Sequence, residues 1–184
     1  MEILAQQNTY NSNLRLGKYE GENISQALFF EKGFTLERVT VRFAETPVNL
    51  VHPTSFRVEV RGAVGEDNFI DPYRKPLAIS AWRNITDISL GEVAFTFNQE
   101  QIRMGSVAFS VVPSCRVGIP TRLAIFDGGG FNSYFMKYEF GTGIQRKDQA
   151  LFIKVEGEWD KDQFQYGPFE LNKYNSFSIV DGGE

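Results

Sequence analysis

The sequence predicts an all-β fold, an antiparallel β-sandwich (jelly roll) with extended N- and C-terminal segments. Three observations carry this. The stretch 90–113, LGEVAFTFNQEQIRMGSVAFSVVP, holds two alternating runs: Val93, Phe95 and Phe97, then Val107, Phe109 and Val111. A period of two places alternate side chains on one face of a pleated strand. About eight or nine such short runs, separated by turn residues, follow one another along the chain, the rhythm of a sandwich or jelly roll. No segment sustains a helical period. With 184 residues, 42% of them hydrophobic and 17 of them Phe, the chain can bury one good core.

Taken in order, residues 1–23 are polar and rich in Asn and Gln, with Leu4, Tyr10, Leu14, Leu16 and Tyr19 scattered without a period. They read as an extended arm. The sandwich domain is expected over 24–158. ISQALFF opens it. In 34–43, Val39, Val41 and Phe43 point inward and Arg38, Thr40 and Arg42 outward. The segment ETPVNLVHP is a loop broken by Pro47 and Pro53. In 56–61, Phe56, Val58 and Val60 point inward while Arg57, Glu59 and Arg61 face water, as suits a solvated antiparallel sheet. Residues 62–76 form a long loop, and a short edge strand is expected around Trp82. The connector NQEQIRMGS is longer than a tight hairpin turn and suits an arch between two sheets. A short strand over 123–126 ends in three glycines, 128–130. Residues 134–140 set Tyr134, Met136, Tyr138 and Phe140 against Phe135, Lys137 and Glu139. In 151–155, Leu151, Ile153 and Val155 point inward. From 159 to 184 alternation gives way to aromatics mixed with polar residues. Phe164, Tyr166, Phe169, Leu171, Tyr174, Phe177 and Ile179 are too apolar for a free tail, so this C-terminal extension packs on its own sandwich or on a neighbour.

Composition narrows the function. A net charge of -4 argues against a nucleic-acid partner, which would need a basic stripe. Cys115 is the one cysteine and His52 the one histidine, so no disulfide, cysteine-based zinc site or histidine cluster is expected. The N-terminus lacks a basic start followed by an apolar run, and no apolar stretch reaches membrane-spanning length. No cofactor, metal or membrane insertion is expected.

The rhythm of 24–157 resembles carbohydrate-binding-module-like jelly rolls of phage virion and bacterial surface proteins. The residues that carry the resemblance are Phe34-Thr-Leu-Glu-Arg-Val39, Phe56-Arg-Val-Glu-Val60 and Val93-Ala-Phe-Thr-Phe97. Ile102-Arg-Met-Gly105 follows, then an alternating strand with an aromatic at Phe109. The resemblance implies a fold more than a ligand.

Several groups are candidates for chemistry. Glu156, Glu158 and Asp160 alternate, and alternate strand residues lie about 6.6 to 7 Å apart, near the spacing of paired glycosidase carboxylates. The string resembles the acid-x-acid-x-acid strand of jelly-roll β-glucanases, but Glu158 stands where that family has Asp and Asp160 where it has Glu. A solvated strand end is the preferred reading, and no catalytic residue is assigned. A sugar platform is the alternative site, with aromatics to stack on pyranose rings: Tyr73 and Arg74 in the long loop, Trp82, Phe131, Asn132 and Trp159. Glu66, Asp67 and Asp71 lack a calcium-loop pattern. Asp127-Gly-Gly-Gly-Phe131 lacks the Lys-Ser or Lys-Thr of a phosphate loop, and its glycines serve a turn.

A surface-type jelly roll without an export signal is expected of a phage protein made in the host cytoplasm and carried out in the virion. The expected function is thus a non-enzymatic structural protein of the virion, in capsid decoration or as a tail, baseplate or fibre component. It would join copies of itself and other virion proteins through its ends, by Leu4, Tyr10, Leu14, Phe164, Tyr166, Phe169, Tyr174 and Phe177. A carbohydrate-binding or host-receptor-binding module is the alternative, and a glycoside hydrolase the third.

Overall fold

Alternation of large apolar and polar residues builds strands throughout a computed structural model that describes residues 1–19, 21–45, 55–63, 69–84, 91–114 and 121–161. The strands are β1 (Glu2–Gln7), β2 (Ser12–Leu16), β3 (Asn23–Phe30), β4 (Phe34–Glu45), β5 (Ser55–Gly62), β6 (Ala78–Ile79) and β7 (Arg83–Asn84). They continue as β8 (Gly91–Ile102), β9 (Gly105–Pro113), β10 (Thr121–Asp127), β11 (Phe135–Glu139), β12 (Thr142–Arg146), β13 (Gln149–Leu151) and β14 (Ile153–Trp159). The chain is an all-β antiparallel β-sandwich, as the alternation predicts. The first sheet runs β1-β14-β4-β10-β13, with β2 on β10 and β8 on β4; the second runs β12-β11-β3-β9-β5-β6, with β7 on β5.

The inner faces meet in one core. Phe34, Leu36, Val39, Val41 and Phe43 of β4 and Val93, Phe95 and Phe97 of β8 come from the first sheet. Val58 and Val60 of β5 and Val107, Phe109 and Val111 of β9 come from the second. The two organising runs lie in different sheets, so the connector between them is an arch. Only Arg103 and Met104 separate β8 from β9, and Gly105 takes up the turn at φ +126°, a region that favours glycine.

Three features depart from the expectations. First, the expected N-terminal arm is extended, but it is paired within the chain. β1 lies against β14 from Glu2↔Gly157 to Gln7↔Ile153, and β2 lies against β10 from Thr121↔Leu16 to Ile125↔Ser12. Leu4 and Leu14, expected to grip a neighbour, pack on the chain's own core beside a fully buried Leu16. Tyr10 is half exposed, edge-on to Phe152 and under the Arg42 guanidinium at 4.8 Å.

Second, Glu59 does not face water. Only 5% of it is exposed, because Arg57 and Arg61, two residues to either side on the same strand face, both donate to its carboxylate. A buried charge is tolerable when paired in this way.

Third, β11 is covered on both faces: Phe135 enters the main core, while Met136 is buried with Ala27, Ala108 and Ile70 on the opposite face of the second sheet. The loop 46–54, His52, Glu66, Asp67, Cys115 and the C-terminal residues Phe164, Tyr166, Phe169, Tyr174 and Phe177 lie outside the described residues.

Candidate functional site

The second sheet carries small residues at the centre of its outer face. Ala27 of β3 pairs with Ala108 of β9, and Ser25 with Ser110, the two hydroxyls 2.6 Å apart. These short side chains leave room for the segment 69–77 to fold across the sheet. Ile70 drops onto Ala27, Ala108 and Met136. Gln145 of β12 clamps it there: its amide oxygen accepts from Ile70 N at 3.2 Å and its amide nitrogen donates to Ile70 O at 2.6 Å. Arg61 Nε donates to Arg74 O at 2.6 Å, and Leu77 N to Val60 O at 2.7 Å. The segment is therefore fixed at both ends and in its middle.

This docking assembles four aromatic rings. Tyr73 meets Tyr138 edge-on, with ring centroids 6.0 Å apart at 89° and the phenol oxygens within 2.5 Å. The shared hydrogen bond to Tyr73 raises the Tyr138 pKa above its ordinary value. Phe69 meets Tyr134 in the same edge-to-face way, at 6.1 Å and 75°, and Lys147 Nζ lies 4.7 Å from the Tyr134 ring. T-shaped pairs of this kind are favourable for the ring quadrupoles. They leave ring surface in solvent: Tyr73 is 76% exposed, the most of any large apolar or aromatic side chain described, and Phe69 is 51% exposed.

Apart from Arg74, the other residues of the expected sugar platform are not brought to this group. Arg74 follows Tyr73 and belongs with it. Trp82 is half exposed beyond β6, under the Arg57 guanidinium at 4.4 Å. Phe131 stands edge-on to Phe126 at 5.9 Å beside Asn132, which is exposed. Trp159 turns inward, because the alternation that buries Val155 and Gly157 carries it onto Phe30 and Phe34 at 6.2 and 6.0 Å. Phe69, Tyr134 and Tyr138 were not among the expected site residues. The one sequence signal for them was the shared parity of Tyr134, Met136 and Tyr138 opposite an equally apolar Phe135, which marks a strand covered on both sides.

The acidic string on β14 is divided among separate partners. Glu156 is gripped by Arg38, whose Nε and Nη2 donate to the two carboxylate oxygens at 2.9 and 2.8 Å. Glu158 lies 4.0 Å from the N-terminal amino group, and Asp160 accepts from Gln101 at 2.7 and 2.8 Å. A glycosidase acid needs a raised pKa. Here the Arg38 hydrogen bonds hold Glu156 below the ordinary carboxylate value, outweighing its desolvation. A depressed folded-state pKa contributes stability above the ordinary carboxylate pKa and loses it as pH falls through the folded value. Glu156→Gln is thus expected to flatten the acid limb of stability against pH, at and below about pH 4. Urea midpoints at a series of pH values check this; parallel curves for the variant and the parent chain would refute it. No group of three or more metal-ligating residues occurs among the described residues.

No family model matches the chain, and no curated protein matches it. Among solved structures it is similar to the clostridial cysteine protease Cwp84 after propeptide cleavage, with a TM-score of 0.58 at 10% identity over 84% of this chain and 39% of that one. It is also similar to a structure of the cysteine protease and lectin-like domains of Cwp84, a surface layer associated protein of Clostridium difficile. There the TM-score is 0.52 at 10% identity, over 78% of this chain and 32% of that one. Likeness at this identity shows the fold alone, and the chain spans less than two-fifths of either protein.

Proposed function

We propose that the chain is a non-catalytic recognition module that binds carbohydrate on the outer face of its second sheet. The observation that carries this reading is the exposed Tyr73 ring, held edge-on against Tyr138 by a docked segment. A pyranose presents an apolar C–H face that stacks on such a ring, while nearby polar groups order its hydroxyls. Asp71, Arg74 and Lys147 supply such groups here. A rigid aromatic surface loses little conformational entropy on binding. The fold likeness to a chain that includes lectin-like domains is compatible with this reading.

A glycan array followed by titration of the hits tests it. Tyr73→Ala is expected to weaken binding by about tenfold or more, the scale of one lost ring contact, while Trp82→Ala leaves it unchanged. An array without hits, or hits indifferent to Tyr73→Ala, would sink the proposal.

A second reading, a structural protein of a phage virion, is favoured by a different feature. At the tip of the β11–β12 hairpin Phe140 and Gly141 both have positive φ, +54° and +73°. A bulky residue rarely adopts this conformation. It presents Phe140 to solvent at 69% exposure, against Tyr19 at 4.2 Å, and Ile144 on β12 of the same hairpin is also exposed. Exposed apolar groups of this kind mark contacts with other proteins. On this reading the chain self-associates in sedimentation, and Phe140→Asn, which suits the turn better, abolishes the association. A chain that stays monomeric at high concentration counts against it.

A further inference from the structure

An arginine holds the main chain next to Tyr73, Arg61 Nε donating to Arg74 O, although the chain as a whole is acidic at a net charge of -4. On β5, Glu59 is shared by Arg57 and Arg61, so two guanidiniums face one carboxylate. Arg74 adds a third guanidinium. It is exposed, and it makes no ion pair among the described residues. Its backbone is held by Arg61 at its carbonyl and by Asp71 O at its N–H, 3.4 Å away, and its Nη1 lies over Gly62. The Asp71 carboxylate is engaged by Tyr73 N at 2.9 Å and caps the turn. The result is an exposed ring with an unpaired, planar, bidentate donor on the next residue, fixed at its main chain.

A guanidinium fork matches a carboxylate in geometry and charge better than it matches a hydroxyl. We propose that the ligand is an acidic sugar, a uronate or sialic-acid type residue, with its ring on Tyr73 and its carboxylate on Arg74. This rests on the carbohydrate reading above and names the ligand class of the same site.

The test is calorimetric titration with two matched pairs: an oligogalacturonate and its methyl ester, and sialyllactose and lactose. At least one acidic member is expected to bind about tenfold or more tighter than its neutral partner, the scale of a charge-assisted bidentate contact. Arg74→Gln should remove that preference, Arg74→Lys should keep part of it, and added salt should reduce it. Circular dichroism verifies that the variants fold, as expected for an exposed side chain whose main-chain bonds are retained. Equal binding of both members of each pair, with sensitivity to Tyr73→Ala, would overturn the acidic-sugar assignment and leave the carbohydrate reading intact. Preference surviving in Arg74→Gln would also overturn it. Absence of binding to all four ligands would overturn the assignment, while the carbohydrate reading would be judged separately on the array.

Discussion

Removal of residues 1–16 is expected to cost the chain its cooperative fold. β1 and β2 close the edge of the first sheet, β1 along β14 and β2 along β10. Their loss strips the backbone partners from both strands and leaves hydrogen-bonding groups open on each. It also uncovers the core beneath Leu4, Ala5, Leu14 and Leu16. Leu16 is fully buried, and emptying one such site alone costs about 2 to 5 kcal/mol. A domain of this kind has about 5 to 15 kcal/mol in all, so four lost core contacts and two lost strands exceed a large part of it. The exposed edges also invite aggregation. Near-UV circular dichroism and urea melts of the truncated chain check this. A cooperative transition at the full-length midpoint would mean that the two strands are accessory and that the polar N-terminus is free to act elsewhere.

Phe95→Ala should lower stability by about 3 to 5 kcal/mol, the usual cost of emptying a fully buried aromatic site. Phe95 has no exposed surface and pairs with Val39 in the middle of the β4–β8 ladder, where neighbours on both sheets prevent collapse into the void. Thr96, next in sequence, is exposed, and Thr96→Ala should change stability by no more than about 0.5 kcal/mol. Denaturant midpoints for the pair measure the contrast between the two faces of one strand. A loss below about 1 kcal/mol at Phe95 would mean that the inner face of β8 is misassigned.

The inner faces of β4, β5, β8, β9 and β14 were legible in the sequence because each must hide a full row of side chains, and a row of period two is visible without tertiary information. The arch between β8 and β9 was legible for a related reason: a nine-residue, mostly polar connector between two apolar runs does not suit a tight turn. The N-terminal strands were not legible. An edge strand needs only a few inward groups, and Leu4, Leu14 and Leu16 set among Asn, Gln and Ser look like an arm until β10 and β14 are present to pair with them.

The burial of Glu59 was hidden for the opposite reason. Arg-Val-Glu-Val-Arg reads as a wet outer face, and only the closed pairing of one carboxylate by two guanidiniums makes its desolvation tolerable. The candidate site lies further still from local pattern. Tyr73 and Tyr138 are 65 residues apart in the chain, and Trp82, Phe131 and Trp159, equally aromatic in sequence, are dispersed by the fold. By itself, then, the sequence determined the sandwich and the strands that line its core, since these follow from local periodicity. Only the tertiary structure decided which aromatics meet. Small residues at the centre of the second sheet admit a loop, and the loop's docking, not any motif, brings the rings and the arginines together.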